Sequence, residues 1–110
     1  MTSRGPVMVV DDDADLRASL SQMLTLAGYE VSEARDGAEA LRALSREFAG
    51  PIVSDIRMPG VDGIELLEAV CGMDPELPVI LLTGHGDVAM AVDALKSGAW
   101  DFLTKPFDPH

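Results

Sequence analysis

Short runs of β-type apolar residues alternate along the chain with longer stretches that have the 3.6-residue period of an amphipathic helix. This alternation constrains the fold most strongly, because it predicts a parallel sheet joined by right-handed helical crossovers. The predicted strands are Val7–Val10, Tyr29–Ala34, Pro51–Ser54, Val79–Leu82 and Phe102–Thr104. The first and fourth runs are apolar at every position, as in strands covered by helices on both faces. We therefore predict a doubly wound, flavodoxin-like α/β fold with strand order 2-1-3-4-5.

Four apolar stripes at helical spacing lie between these strands. The first stripe follows Asp13, a suitable N-cap, and stops at Gly28, while the fourth is closed by Gly98. The four stripes are Leu16, Leu20, Met23, Leu24 and Ala27; Ala38, Leu41, Leu44 and Phe48; Ile64, Leu67 and Val70; and Val88, Ala91, Val92 and Leu95. Each stripe predicts a helix that packs against the sheet.

The end of the chain leaves no room for another helix, because only three residues follow Phe107. We therefore interpret residues 1–110 as one domain that stops before the fifth helix of the fold. The last strand is then expected to be an exposed sheet edge, through which the chain self-associates or loses stability.

Composition excludes several classes of function. With 19 acids against 8 bases, the formal charge of -11 repels nucleic acid and anionic lipid. No apolar run is long enough to cross a bilayer, and Met1–Pro6 does not have the pattern of a signal peptide, so we expect a cytoplasmic protein. Cys71 has no partner for an intrachain disulfide, and its apolar setting favours a buried structural thiol.

The residues that end the predicted strands carry the chemistry. Since ligands of open α/β sheets bind at the carboxyl ends of the strands, these residues are expected to lie close together. The first strand is followed by Asp11, Asp12 and Asp13, the third by Asp55, the fourth by Thr83 and the fifth by Lys105. Asp13 is better explained as the N-cap of the first helix. Taken alone, Lys105 would be a surface charge and Thr83 a strand-end hydroxyl. The prediction of a site depends on their placement together with the acids at one sheet edge.

Carboxylates held this close repel one another unless a cation lies between them. An all-oxygen set of ligands favours magnesium over zinc, and magnesium uses only one or two carboxylates, so one aspartate is left free to react. An aspartate can attack phosphorus while magnesium and a lysine neutralise the charge of the transferring group. The sequence therefore predicts phosphoryl chemistry, with the Thr83 hydroxyl donating a hydrogen bond to a phosphoryl oxygen.

Four motifs together resemble the response-regulator receiver domain, which has a CheY-like fold. They are Val9-Val10-Asp11-Asp12, Ser54-Asp55-Ile56-Arg57-Met58-Pro59, Thr83-Gly84-His85 and Lys105-Pro106-Phe107. The resemblance spans nearly the whole chain, and each motif falls at a strand end in the right order.

The resemblance implies a role for each residue. Asp55 would accept a phosphoryl group from a histidine kinase, and Lys105 would pair with that group. Asp12, Asp55 and the backbone carbonyl of Arg57 would hold magnesium, with Asp11 helping through water. The switch residues would be Thr83 and Phe102, which change the face built from the fourth helix and the fifth strand. It also implies a cis peptide before Pro106, and His85 would tune the access of water to the phosphoryl group.

Within this family the segments Thr83–Val92 and Gly98–Phe102 are similar to NtrC/DctD-like transcriptional activators, with FixJ-like regulators second. The resemblance implies a covalently attached output domain, either an ATPase with a DNA-binding domain or a helix-turn-helix alone. It leaves open whether the chain forms a homodimer, because the missing last helix belongs to the usual dimer face. The domain itself is expected to contact neither nucleic acid nor membrane.

Three other interpretations fit less well. The segment Gly84–Ala89 reads as a G-x-G-x-x-A dinucleotide motif, but it follows the fourth strand and no acidic residue ends the next strand. A phosphatase of the haloacid-dehalogenase type needs an aspartate two positions after the nucleophile, where this chain has Arg57. A pseudo-receiver normally lacks a key residue, whereas Asp11, Asp12, Asp55, Thr83 and Lys105 are all here. We therefore expect no enzyme beyond the chain's own phosphotransfer and dephosphorylation.

Overall fold

The computed structural model describes residues 3–44, 48 and 50–105. The five strands are β1 (Pro6–Val10), β2 (Glu30–Ala34), β3 (Ile52–Asp55), β4 (Val79–Thr83) and β5 (Asp101–Thr104). The helices are α1 (Ala14–Leu26), α2 (Gly37–Ala43), α3 (Gly63–Met73) and α4 (Val88–Lys96), with a 3-10 turn at His85–Asp87 before α4. All strand pairs are parallel and the order is β2-β1-β3-β4-β5. The predicted fold class is confirmed, and within the described residues no helix follows β5.

Two hydrophobic clusters cover the two faces of the sheet, because successive side chains of a strand point to opposite faces. On one face Met8 and Val10 of β1 pack with apolar residues of α2, α3 and α4. On the other face Val7 and Val9 pack with residues of α1, including Leu20. β1 and β4 are therefore buried on both sides, as their unbroken apolar runs predicted.

The helical stripes predicted only some of the buried side chains correctly. In α1 the buried stripe is narrower than predicted, since Leu20 is buried but Met23 is 48% exposed. Within the described residues α1 is the only helix on its face of the sheet, so nothing covers Met23 from the side. In α4 the contact with the core is made by Ala91 and Ala94, while Val92 and Leu95 are largely exposed.

The second helix is shorter than its apolar stripe. It ends at Ala43, and Leu44 is its C-cap in extended conformation. Phe48 still packs against the core although it lies beyond the helix. Leu41, Leu44 and Phe48 of the predicted stripe therefore do pack against the core, but Leu44 and Phe48 lie outside the helix and the fully buried alanine of α2 is Ala40 instead of Ala38.

Two expectations about the turns and the sheet edge are confirmed, and the one about Cys71 is not. Gly28 and Gly98, which were predicted to end α1 and α4, both have positive φ. Cys71 is half-buried and packs against the core, so it is less enclosed than predicted. β5 pairs only with β4 and its side chains are mostly exposed, as expected of a sheet edge. The predicted cis peptide before Pro106 lies outside the described residues. None of the described helices is long and apolar enough to span a membrane.

Candidate functional site

The carboxyl ends of β1, β3, β4 and β5 bring four of the predicted residue positions to one edge of the sheet. Asp11 directly follows β1, Asp55 and Thr83 are the last residues of β3 and β4, and Lys105 directly follows β5. The Lys105 ammonium lies 3.1 Å from Asp55 Oδ2 and 3.5 Å from Asp11 Oδ2. The carboxylates of Asp11, Asp12 and Asp55 each offer an oxygen within 4.8 Å of the others. The predicted convergence of the acids and the amine is thus observed.

Asp11 is the most enclosed of the acids, with no solvent exposure. Its Oδ1 accepts a hydrogen bond from the Asp13 backbone N–H at 2.9 Å, whereas Oδ2 is buried and has no hydrogen-bond partner among the described residues. Burial raises the pKa of Asp11 above its ordinary value, and the negative charge of Asp55 adds to this effect, although the bond from Asp13 opposes it. The ionised carboxylate is therefore underpaired in this arrangement.

Lys105 is the cation of the site. Its burial by itself would lower the pKa of the ammonium group, but the hydrogen bond to Asp55 and the charges of Asp55 and Asp11 together raise the pKa above its ordinary value. The ammonium group is consequently charged at neutral pH. One positive charge then faces three carboxylates, which leaves the cluster short of positive charge.

The side chains present fit a hard divalent cation. All the ligand atoms of the cluster are carboxylate oxygens, the type that magnesium and calcium bind. Asp12 is exposed, so one side of the cluster is open to solvent. Oδ2 of Asp11 is buried without a hydrogen-bond partner among the described residues, and the cation that faces it is the Lys105 ammonium at 3.5 Å, which Asp55 shares. Asp13 does not join the cluster; its side chain caps α1 by accepting from the N–H groups of Asp15 and Leu16, as predicted.

Thr83 and Phe102 lie on the neighbouring strands β4 and β5, with Thr83 at the sheet edge where the acids meet and Phe102 further back in β5. Thr83 has no solvent exposure, and its hydroxyl donates a hydrogen bond to the Gly84 carbonyl at 3.0 Å. Phe102 of β5 is opposite Leu81 in the β4–β5 register and packs, partly buried, against the core. The threonine hydroxyl is therefore engaged with its own loop, and the aromatic ring already contacts the interior.

The loop between β3 and α3 is fixed closely behind Asp55. The Gly63 N–H donates to the Ile56 carbonyl at 2.8 Å, and a side chain at Gly63 would collide with the Asp55 carbonyl oxygen. The start of α3 is held by a reciprocal capping box between Asp62 and Glu65. The Asp55 carboxylate is thus attached to a backbone segment that cannot shift without displacing a helix.

Arg57 makes a contact that the sequence did not predict. Its guanidinium donates two parallel hydrogen bonds to Asp87, from Nε to Oδ2 at 2.8 Å and from the second terminal nitrogen to Oδ1 at 2.7 Å. These bonds lower the pKa of Asp87 and raise that of Arg57, so both groups stay charged. In the sequence Asp87 stood out only within the rejected dinucleotide motif and the Thr83–Val92 segment of the family resemblance, and no local signal links two residues 30 positions apart.

Arg57 also borders an open cleft beside the acids. The cleft has a volume of about 380 Å³. Its walls are Asp12, Ile56, Arg57, Met58, Pro59, Asp62 and Met90. Asp12 and Arg57, two of the residues expected to hold a metal, therefore face the same solvent-accessible space.

Comparisons with known proteins show one family of relatives. Residues 7–110 match the family described as the response regulator receiver domain. Over 107 residues the chain is 51% identical to the C4-dicarboxylate transport transcriptional regulatory protein DctD of Rhizobium meliloti (strain 1021), covering 97% of the chain and 23% of that protein. It is 48% identical over 108 residues to the transcriptional regulatory protein FixJ of Bradyrhizobium diazoefficiens, covering 98% of the chain and 53% of that protein.

Solved structures give the same result. The receiver domain of NtrX from Brucella abortus matches with a TM-score of 0.87 at 38% identity, covering 93% of the chain and 87% of that structure. Full-length FixJ from B. japonicum matches with a TM-score of 0.84 at 47% identity, covering 97% of the chain and 53% of that structure. The chain thus spans about a quarter of the length of DctD and about half that of FixJ.

Proposed function

This chain belongs to the response regulator receiver domain family of two-component systems, and we propose that it accepts a phosphoryl group on Asp55 and passes the event on through a change of its α4–β5 face. The observation that carries the proposal is the meeting of Asp11, Asp12, Asp55 and Lys105 at one sheet edge. The acids can hold a divalent cation and offer a nucleophilic oxygen, and that cation together with the amine can neutralise the negative charge of a transferring phosphoryl group.

In the proposed step a carboxylate oxygen of Asp55 forms a bond to phosphorus as the bond to the leaving group of the donor breaks. With acetyl phosphate as donor, acetate leaves with the bonding electrons and Asp55 becomes an acyl phosphate. Lys105, already 3.1 Å from Asp55, pairs with the oxygens of the incoming group. Asp12, Asp55 and the Arg57 carbonyl, with Asp11 helping through water, would hold a magnesium ion that neutralises charge on the same group.

Thr83 and Phe102 carry the proposed switch. The Thr83 hydroxyl leaves the Gly84 carbonyl, to which it now donates, and donates to a phosphoryl oxygen instead. Phe102 then packs more deeply into the space beside Thr83, which shifts the balance between two arrangements of the α4–β5 face. Amide NMR tests this: Thr83→Val should still be phosphorylated but lose the shifts of β5 signals, while shifts that persist in Thr83→Val would contradict the switch.

The proposed partners follow from the family to which the chain belongs. We propose a histidine kinase as the phosphodonor in the cell and a covalently attached transcriptional output domain, because the curated relatives are transcriptional regulators that the chain covers only in part. We propose a cytoplasmic location for the same reason. The domain turns over no separate substrate in this proposal; steady hydrolysis of a phosphate ester that Asp55→Asn abolishes would contradict that part.

The decisive experiment is incubation with magnesium and acetyl phosphate, followed by intact mass measurement. One added phosphoryl group is expected for the wild-type chain and none for Asp55→Ala. Asp93→Ala, which removes an exposed acid of α4 away from the cluster, is the matched control and should be phosphorylated normally. An unmodified wild-type chain, or an equal gain of mass in Asp55→Ala, would refute the proposal.

A further inference from the structure

We infer that Asp87 is a positioning residue for the metal site: through its ion pair with Arg57 it holds the Arg57 carbonyl in place and couples metal binding to the first turn of α4. The inference rests on the proposed function, because it takes the Arg57 carbonyl as a magnesium ligand. It goes further by assigning a role to Asp87, which belongs to none of the predicted site residues.

The geometry of the pair is that of a rigid clamp. Two parallel hydrogen bonds of 2.7 and 2.8 Å join the two groups, so both the distance and the orientation of the Arg57 guanidinium relative to the Asp87 carboxylate are set. Asp87 is largely buried, whereas the Arg57 side chain reaches out through solvent to meet it. Asp87 precedes α4, yet its side chain makes no capping bond to the helix, so its carboxylate is committed to Arg57.

The ion pair joins the loop after β3, which follows Asp55, to the loop after β4, which follows Thr83. Arg57 lies two positions after Asp55, and Asp87 lies four positions after Thr83 and directly before α4. The Asp87 N–H donates to the Gly84 carbonyl at 3.0 Å, the same oxygen that accepts the Thr83 hydroxyl. A shift of the loop after β4 therefore acts on Asp87 directly, and the clamp passes it to Arg57.

The effect must also work in reverse, because coupling between two sites is reciprocal in free energy. A cation that pulls on the Arg57 carbonyl biases the position of Asp87 and hence of the Val88 end of α4. Arg57 and Asp12 line the same cleft, so one partner of the ion pair borders the same space as the proposed metal ligand Asp12. Groups that orient metal ligands contribute to affinity without touching the ion.

A purely stabilising surface ion pair would behave differently, since it would change the unfolding midpoint but leave the affinity for magnesium unchanged. The experiment therefore measures the magnesium Kd by calorimetric titration of wild-type, Arg57→Ala, Asp87→Ala and the double variant. We expect each single variant to raise Kd roughly three- to tenfold, and the double variant to raise it no more than a single one. Asp87→Asn, which keeps the side-chain shape, guards against a loss of folding and should raise Kd as well.

Glu39→Ala is the matched control, because it breaks the remote Arg35–Glu39 ion pair and should leave Kd unchanged. Amide NMR adds a second readout: magnesium should shift the Val88 and Ala89 signals in the wild-type chain and not in Asp87→Asn. A normal Kd in the Asp87 variants, or additive effects in the double variant, would overturn the inference while leaving the proposed function intact. A wild-type chain that binds no magnesium would instead refute the proposed metal site and the inference with it.

Discussion

Lys105 Nζ lies 3.1 Å from Asp55 Oδ2, although β4 separates their two strands in the sheet. The contact is possible because parallel strands end at a common edge, where the long lysine side chain reaches across the end of β4. The same ammonium group lies 3.5 Å from Asp11 Oδ2. A single cation thus faces two buried acids that belong to different strands.

Replacing Lys105 with methionine keeps an unbranched side chain and removes this charge. Phosphorylation by acetyl phosphate should slow by about 100-fold or more, because a preorganised charge beside the transferring group is lost. Without magnesium the free energy of unfolding should also fall by about 1–2 kcal/mol, since two acids lose their counter-charge. Mass measurements over time and urea unfolding test the two effects. Lys96→Met, at the exposed end of α4, should change neither; a normal rate in Lys105→Met would contradict the assigned role.

We predict that magnesium stabilises the fold and that this stabilisation requires Asp12. At ten times its Kd, magnesium should add about 1.4 kcal/mol to the stability of the wild-type chain, which corresponds to a rise in Tm of roughly 5–10 °C. Asp12→Ala should lose most of this rise, and its metal-free stability should not fall, because removing one acid from a crowded cluster relieves repulsion. Thermal unfolding with and without magnesium measures both. Asp93→Ala is the control and should show the same rise in Tm as the wild type. A wild-type Tm that does not change when magnesium is added would argue against the site.

The sequence predicted the strands closely because each apolar run is interrupted by a residue with a different role. Val10 is followed by Asp11 directly after β1, and Leu82 by Thr83, the last residue of β4, so the end of the strand and the start of the site are visible together in the sequence. The site was predictable for the same reason: the topology brings all strand ends to one edge, whatever lies between them in the chain.

Other features could not be predicted because they depend on neighbours that local spacing does not show. Met23 fits the helical stripe of α1 but is exposed, since burial requires a second element beside the helix. The Arg57–Asp87 clamp joins two loops whose approach is set by the packing of α3 and α4 on the sheet. The unpartnered Oδ2 of Asp11 likewise became visible only from the positions of the surrounding atoms.

Asp11 should make the stability of the metal-free chain depend on pH. Burial raises its pKa in the folded chain, so the folded state holds this proton more tightly than the unfolded state does. The stability that this bound proton contributes is fully present below the unfolded pKa of about 3.9. It is lost as the pH rises through the higher pKa that Asp11 has in the folded chain. Asp11→Asn carries no such proton, so without magnesium it should be more stable than the wild type at pH 7.

The gap between Asp11→Asn and the wild type should close as the pH falls toward the ordinary aspartate range, and urea unfolding at several pH values measures it. Saturating magnesium at pH 7 should reverse the order, because the wild-type carboxylate then gains a counter-charge. Asp93→Asn, an exposed acid, controls for a general loss of negative charge. A gap that stays constant with pH would show that ionisation of Asp11 is not its cause.

Two glycines of α3 should respond in opposite ways to alanine. At Gly72 an added Cβ meets nothing within 4 Å, so Gly72→Ala should raise the free energy of unfolding by about 0.5–1 kcal/mol through better helix propensity. At Gly63 the same atom would collide with the Asp55 carbonyl oxygen and lie 2.8 Å from the Ile56 Cα. Both obstacles are backbone, so the helix or the end of β3 must move.

Gly63→Ala should therefore lower the free energy of unfolding by about 2 kcal/mol or more. It should also slow phosphorylation in the fraction that still folds, because the displaced backbone carries the Asp55 carboxylate away from Lys105. Urea unfolding and the acetyl phosphate reaction on both variants measure these effects. If Gly63→Ala matched Gly72→Ala in stability and rate, the close packing of α3 behind Asp55 would not be what holds the reacting carboxylate in place.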